Sequence, residues 1–256
     1  MQQVKQYIKF LFKSTNQHGV HSPFVYDLVT KCFYDKTKYQ EYHKIKDFIK
    51  RVKNDNLKIE VTDFGAGSKK RTSSQRKISE IAKTAGTTIN RAKLLFRIVN
   101  YFKPQQILEL GTSLGFATQA MSYGNPNANI HTIEGCPEVS DYTKKHFRRL
   151  PLNNIKIITG NIDDTIQQLE SKQYDLIFFD GNHQKEATLH YFECLLPKAH
   201  NDSVFIFDDI YWSKGMTEAW ETIKKHPKVS VTIDTFQWGM VFFRSEQVKQ
   251  DFVIRV

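Results

Sequence analysis

The chain is poor in cysteine, with Cys32, Cys136 and Cys194 widely separated in 256 residues. Three such thiols make neither a disulfide framework nor paired zinc spacing, and they point to a reducing, cytoplasmic setting. Long apolar runs are missing too. None approaches the ~20 residues that a membrane-spanning helix needs, so integral membrane association is not expected. Residues 4–13 are interrupted by lysines and carry no cleavage-site chemistry, which argues against a secretory signal. Two nucleotide-binding signatures are also absent: no G-x-G-x-x-G follows a strand, and no basic lysine follows the main glycine loop as it would in a triphosphate site.

Acidic residues are scarce in the first part of the chain. Residues 1–100 hold 21 Lys+Arg against 8 Asp+Glu, net +13, whereas residues 101–256 hold 16 against 19, net −3. The basic character thus belongs to the N-terminal part, where it suits a solvated helical surface, an anionic substrate, RNA or an anionic membrane face. Residues 4–13 have helical periodicity, with Val4, Tyr7, Ile8, Leu11 and Phe12 on one face. A helix packed on the body or across a homodimer interface is the plain expectation, and a membrane-surface helix is the sharper one. Ser22-Pro23 reads as a helix start, and residues 24–53 continue with helical periodicity.

What the chain has in quantity is strand ends that carry acids. Ile107-Leu108-Glu109-Leu110-Gly111-Thr112-Ser113-Leu114-Gly115-Phe116-Ala117-Thr118 reads as a buried strand, a glycine turn and a helix start. That arrangement holds a nucleotide-like ligand at the carboxyl end of a first strand. Gly111 permits the sharp turn, and Gly115, lacking a Cβ, permits close approach to a ligand. About twenty residues on, Asn129–Glu134 reads as a second strand whose terminal acid can accept hydrogen bonds from ribose hydroxyls. Strands over Ile155–Gly160, Tyr174–Asp180 and Ser203–Asp209 follow, and their near-continuous apolar runs suit a parallel sheet covered on both faces. A second glycine loop, Asp63-Phe64-Gly65-Ala66-Gly67, lacks the acidic strand end that should come about twenty residues later. Residues 63–77 therefore read as a basic loop able to bind an anionic group, or as plain surface.

The pattern E-x-G-T-x-x-G-F-x-T at residues 109–118 resembles the S-adenosylmethionine loop of class I methyltransferases, in particular the catechol O-methyltransferase-like group. The resemblance covers roughly residues 87–256. It implies an α/β fold with a Rossmann-like, seven-stranded, mostly parallel sheet ending in an antiparallel hairpin over Val229–Asp234 and Gly239–Arg244. Residues 1–86 would then form a basic, mainly helical extension or lid. The cofactor would be held by Glu109, Gly111, Thr112, Ser113, Gly115, Glu134 and Gly135, with Asn161 and Ile162 at the adenine and Asp180 alongside.

In the same group a divalent ion, expected to be Mg²⁺, is held by acids at the ends of strands four and five. Here these are Asp180, Asp208 and Asp209. His183 stands where the group has its lysine base, so Asp180 and His183 are the catalytic candidates, with His183 open to roles as base, metal ligand or substrate contact. The activity implied is O-methylation of a small hydroxylated acceptor. An RNA methyltransferase using the basic N-terminal part is the competing reading, although no recognisable RNA-binding module is present. A noncatalytic cofactor-binding protein is the third reading, and the acids at 109, 134, 180 and 208 argue against it.

Overall fold

The computed structural model describes residues 2–63, 72–84, 87–170 and 172–256. Its helices are α1 (Gln2–Lys13), α2 (Pro23–Leu28), α3 (Glu41–Lys53), α4 (Ile78–Thr84), α5 (Ile89–Phe102), α6 (Phe116–Gly124), α7 (Pro137–Phe147), α8 (Ile162–Gln168), α9 (Lys185–Leu195) and α10 (Lys214–Lys224). Its strands are β1 (Lys58–Asp63), β2 (Thr72–Lys77), β3 (Gln106–Leu110), β4 (Asn129–Glu134), β5 (Ile155–Thr159), β6 (Leu176–Phe179), β7 (Val204–Asp208), β8 (Val231–Asp234), β9 (Trp238–Phe242) and β10 (Gln250–Val253). The larger sheet has the strand order β10-β8-β9-β7-β6-β3-β4-β5, and the smaller is the β1-β2 hairpin. Two compact units divide the chain.

One unit comprises the residues up to Tyr34, Gln106–Leu108 and Ile166–Val256. Its strands β6 and β7 pair in parallel, with Phe179 opposite Phe207, and those two rings stack at 4.2 Å. Every residue of β6, β7, β8 and β9 is buried, and β6 and β7 are the continuous apolar strands expected of a sheet covered on both faces. β9 runs antiparallel to both β7 and β8, which is the expected terminal hairpin. The sequence pattern did not announce β10, an eighth strand parallel to β8. Its residues are polar or half-exposed, so an edge position leaves no apolar run to read. Ser22 caps α2 and Pro23 opens it, as the sequence implied.

The other unit comprises Asp35–Gln105 and Glu109–Thr165. Ile45, Phe48 and Ile49 of α3 share one buried cluster with Ala92 and Phe96 of α5, Phe116 and Ala120 of α6, and Tyr142 and Phe147 of α7. Thr88 caps α5, and Lys103, in the left-handed region at φ 49°, ends it just before Pro104. The expected loop over residues 63–77 is in part a strand: Thr72–Lys77 pairs antiparallel with Lys58–Asp63. Polar composition hid it, because a two-stranded ribbon has no need of apolar alternation on its outer face. Residues 64–71 of that expectation lie outside the described residues.

Gly239 sits in β9 where a Cβ would meet the Trp220 ring of α10 at 2.6 Å. Trp220 is fully enclosed and cannot retreat. Gly239→Ala should therefore lower stability by about 1–3 kcal/mol through overpacking. Urea unfolding checks this, and a midpoint equal to that of the wild type would show that the indole has room to move.

Candidate active site

The glycine loop belongs to the unit that holds β4 and β5. Three of its residues occupy the left-handed region: Gly111 at φ 99°, Ser113 at 46° and Gly115 at 76°. The N–H groups of Gly111 and Thr112 both donate to the Ile133 carbonyl, at 2.9 and 3.0 Å, and so tie the turn to β4. Thr143 of α7 donates its hydroxyl to the Ser113 carbonyl at 2.8 Å. Gly115 is needed for packing as well as conformation, since a Cβ there would lie 2.4 Å from the Phe147 ring and 2.9 Å from Thr143. The close approach expected of this glycine is thus made, in the first place, to α7.

Glu134 ends β4 half-buried. One carboxylate oxygen accepts the Ser113 N–H at 2.7 Å, and the other accepts the Cys136 N–H at 2.9 Å. Burial raises its pKa, and the backbone donors of Cys136, Ser113 and Gly135 oppose that rise. Each oxygen keeps a second lone pair for another donor. Asn161, exposed beyond β5, caps the next helix by accepting the Asp163 N–H at 2.8 Å, and Ile162 begins that helix half-buried.

Glu109 differs from the other acids. It is completely enclosed, and one of its oxygens accepts the hydroxyls of Thr118 and Thr132, each at 2.5 Å. Thr132 is bonded in turn to the Thr112 hydroxyl at 2.6 Å. Desolvation pushes the Glu109 carboxyl up to about 8, against the pull of the two hydroxyls. Glu109 therefore serves the loop from within, by joining β3 to α6 and β4.

The acidic candidates of the later strands lie in the unit that holds β6–β10. Ligand atoms of Asp180, His183 and Asp208 all lie within 4.8 Å of one another. Asp180 follows β6 and Asp208 closes β7. His183 is brought to them because Asn182 turns the chain in the left-handed region at φ 52°, leaving the imidazole 3.9 Å from Asp180. Asp209 also has φ 52°, and among the described residues it is not in the group of three. Asp209 lies just past the end of β7, and its left-handed backbone turns the chain there.

The sequence did not single out the Tyr211–Asp234 pair, which is joined by a 2.5 Å hydrogen bond. Burial and the neighbouring carboxylate raise the Tyr211 pKa strongly. Tyr211 also stacks on Phe236 at 5.2 Å. No spacing rule links residues 23 positions apart, so only the fold could pair them. Trp238 is core against Phe178, whereas Trp212 is exposed.

A glycine loop closed by a strand-end acid is a layout that holds a nucleotide-like ligand at the carboxyl end of a parallel strand. Residues 108–210 match the family described as a methyltransferase domain. The chain is 23% identical over 128 residues to a catechol O-methyltransferase of Mycobacterium tuberculosis, covering 49% of this chain and 57% of that protein. It is 28% identical over 126 residues to a catechol O-methyltransferase of Niastella koreensis, covering 47% and 56%. The chain thus spans rather more than half the length of these curated relatives. The solved O-methyltransferase of Bacillus cereus, in complex with SAH, shares the fold at a TM-score of 0.57 and 18% identity, covering 82% of this chain and 94% of that one. Residues 108–210 thus carry a methyltransferase domain, and the chain is similar to S-adenosylmethionine-dependent methyltransferases of the catechol O-methyltransferase-like group.

The state of Glu109 gives a pH prediction. Its folded pKa of about 8 lies above the ordinary value of 4.5, so the folded protein keeps a proton that the unfolded chain releases. The associated stability is fully present below pH 4.5 and is lost as pH rises through about 8. Thermal melts across that window should fall in the wild type and be flatter in Glu109→Gln. Parallel profiles in the two proteins would mean that Glu109 is already ionised in the fold.

Proposed function

We propose that this protein transfers a methyl group from S-adenosylmethionine to a hydroxyl of a small acceptor, with a divalent cation assisting. S-adenosylmethionine supplies a methyl already activated on its sulfonium. The chain's part is to bind, align and exclude water. Glu134, immobilised by two backbone N–H groups, is suited to receive the ribose hydroxyls through its remaining lone pairs. Gly111, Thr112, Ser113 and Gly115 present the loop backbone, Gly135 follows the acid, Asn161 and Ile162 face the adenine, and Asp180 takes its place beside the cofactor. Glu109 acts as a positioning residue.

The observation that carries the cation-assisted reading is the close grouping of Asp180, His183 and Asp208. Two carboxylates and an imidazole form a chemically complete donor set for a divalent ion, with positions left for acceptor oxygens. When bound, such an ion supplies the charge that lowers the acceptor hydroxyl's pKa. Asp180 and Asp208 offer hard oxygen donors, and His183 adds a nitrogen. That nitrogen makes a transition ion such as Mn²⁺ more suitable than three carboxylates would, with Mg²⁺ as the natural comparison. Asp209 orients the turn after β7, where its carbonyl accepts the Trp212 N–H at 2.8 Å. Selection of the acceptor we assign to the basic extension, residues 1–86.

A thermal-shift titration with S-adenosylhomocysteine tests this reading, run with Mn²⁺, with Mg²⁺ and with a chelator. Binding should stabilise the fold by ~2.7 kcal/mol at a hundredfold excess over Kd. Glu134→Ala should weaken that binding by about 1–3 kcal/mol, the worth of charge-assisted hydrogen bonds. Asp208→Asn and His183→Ala should keep the S-adenosylhomocysteine shift and lose the metal-dependent increment. No shift in well-folded protein would overturn the cofactor assignment, and a metal increment that survives both substitutions would move the cation elsewhere.

A further inference from the structure

We infer that α1 is a docking helix for an anionic phospholipid surface, an interaction independent of the methyl-transfer site. The helix is held in place from one side only. Phe10 is buried, and it and Tyr7 pack on Phe236 with ring centroids 5.5 and 4.8 Å apart. The Arg255 guanidinium donates to the Leu11 carbonyl at 3.1 Å and to the Ser14 hydroxyl at 3.0 Å. Thr15 exchanges backbone hydrogen bonds with Val253 and Arg255, at 2.9 and 3.0 Å, so the helix leads directly into a strand-like tie.

Most of the apolar face then points away from the body. Phe12 is 88% exposed, Val4 62%, Ile8 49%, Tyr7 46% and Leu11 37%. At about 100° per residue these five side chains form one continuous strip, running from beside Phe10 around to Phe12. Lys5, Lys9 and Lys13 come next around the helix and line the strip's free edge. There is no acid anywhere in Gln2–Lys13. Apolar side chains flanked by lysines whose stems can follow them down, with ammonium groups at headgroup level, are what a helix lying in a bilayer interface requires.

Charge and size decide between occupants. A second copy of this helix would bring three lysines to three lysines with no acid in either helix to pair them. Nor is the strip large enough, since five side chains on a helix about 18 Å long fall well short of the ~20–30 residues a side of a stable protein interface. An anionic bilayer meets both conditions: it neutralises the lysines and accepts a shallow apolar strip of any size. The helix lies along such a surface and does not cross it, because no helix among the described residues is long and apolar enough to span a membrane.

The test is co-sedimentation of the full chain with vesicles of phosphatidylcholine alone and of phosphatidylcholine mixed equally with phosphatidylglycerol. The mixed vesicles should pellet the protein at least about tenfold more effectively, given that each lysine near an anionic surface strengthens partitioning by roughly fivefold. The advantage should shrink as salt is raised. The double substitution Ile8→Ser with Phe12→Ser should abolish binding while leaving the melting temperature unchanged, because both side chains are exposed. Replacing Lys5, Lys9 and Lys13 with glutamine should reduce binding to the level of neutral vesicles. Failure to bind mixed vesicles would overturn the inference. Light scattering is the second arm: a dimer that the double serine variant turns into monomer would give the strip to a second copy instead.

Discussion

The glycine loop depends on one buried acid. Glu109 lies inside the fold, where an unpaired carboxyl would be costly, and the hydroxyls of Thr118 and Thr132 meet it there. Those two threonines stand on the helix that follows the loop and on the next strand. One side chain thereby sets the spacing of β3, α6 and β4. Thr112 joins the same chain through Thr132, so the loop's own backbone is tied into it. With that spacing set, the Ser113 N–H falls within 2.7 Å of Glu134. The acid suited to a ligand is oriented by a turn, and the turn is oriented by the acid that is not.

Left-handed residues mark both candidate regions. Ser113 in one unit, and Asn182 and Asp209 in the other, adopt a conformation that non-glycine residues rarely take. Each costs some free energy and persists because its neighbours hold it. Ser113 is held by Glu134 and Thr143, and Asn182 by a 3.2 Å bond from its amide to Tyr191. In each case the backbone is bent to bring a particular group to a particular place. For Asn182 that group is the His183 imidazole, which joins two carboxylates where the sequence suggested three.

Much of this was legible in the chain. Buried strands announce themselves by continuous apolar composition, so β3, β6 and β7 could be read directly, and acids at their ends stood out against that background. Spacing of about twenty residues tied Glu134 to the loop. Elements whose burial is partial were harder to see. β2 is polar throughout and lay within an expected loop, and β10 sits at an edge with little apolar content. The choice between Asp209 and His183 as third member of the acidic group was not readable either, because it turns on two φ angles and not on residue type.

Composition and periodicity by themselves determined the class of sheet, the place of the glycine loop and the identity of the strand-end acids. These follow from local rules: a strand buried on both faces must be apolar, so an acid at or near its end stands out against that background. Only the tertiary structure decided which acid is enclosed and which is half-open, since Glu109 and Glu134 look alike in the chain. It also decided that Tyr211 meets Asp234 and that the apolar face of α1 is left outward. Those outcomes depend on which surfaces meet across long sequence separations, and hydrophobic periodicity reports that a face is apolar without reporting what, if anything, covers it.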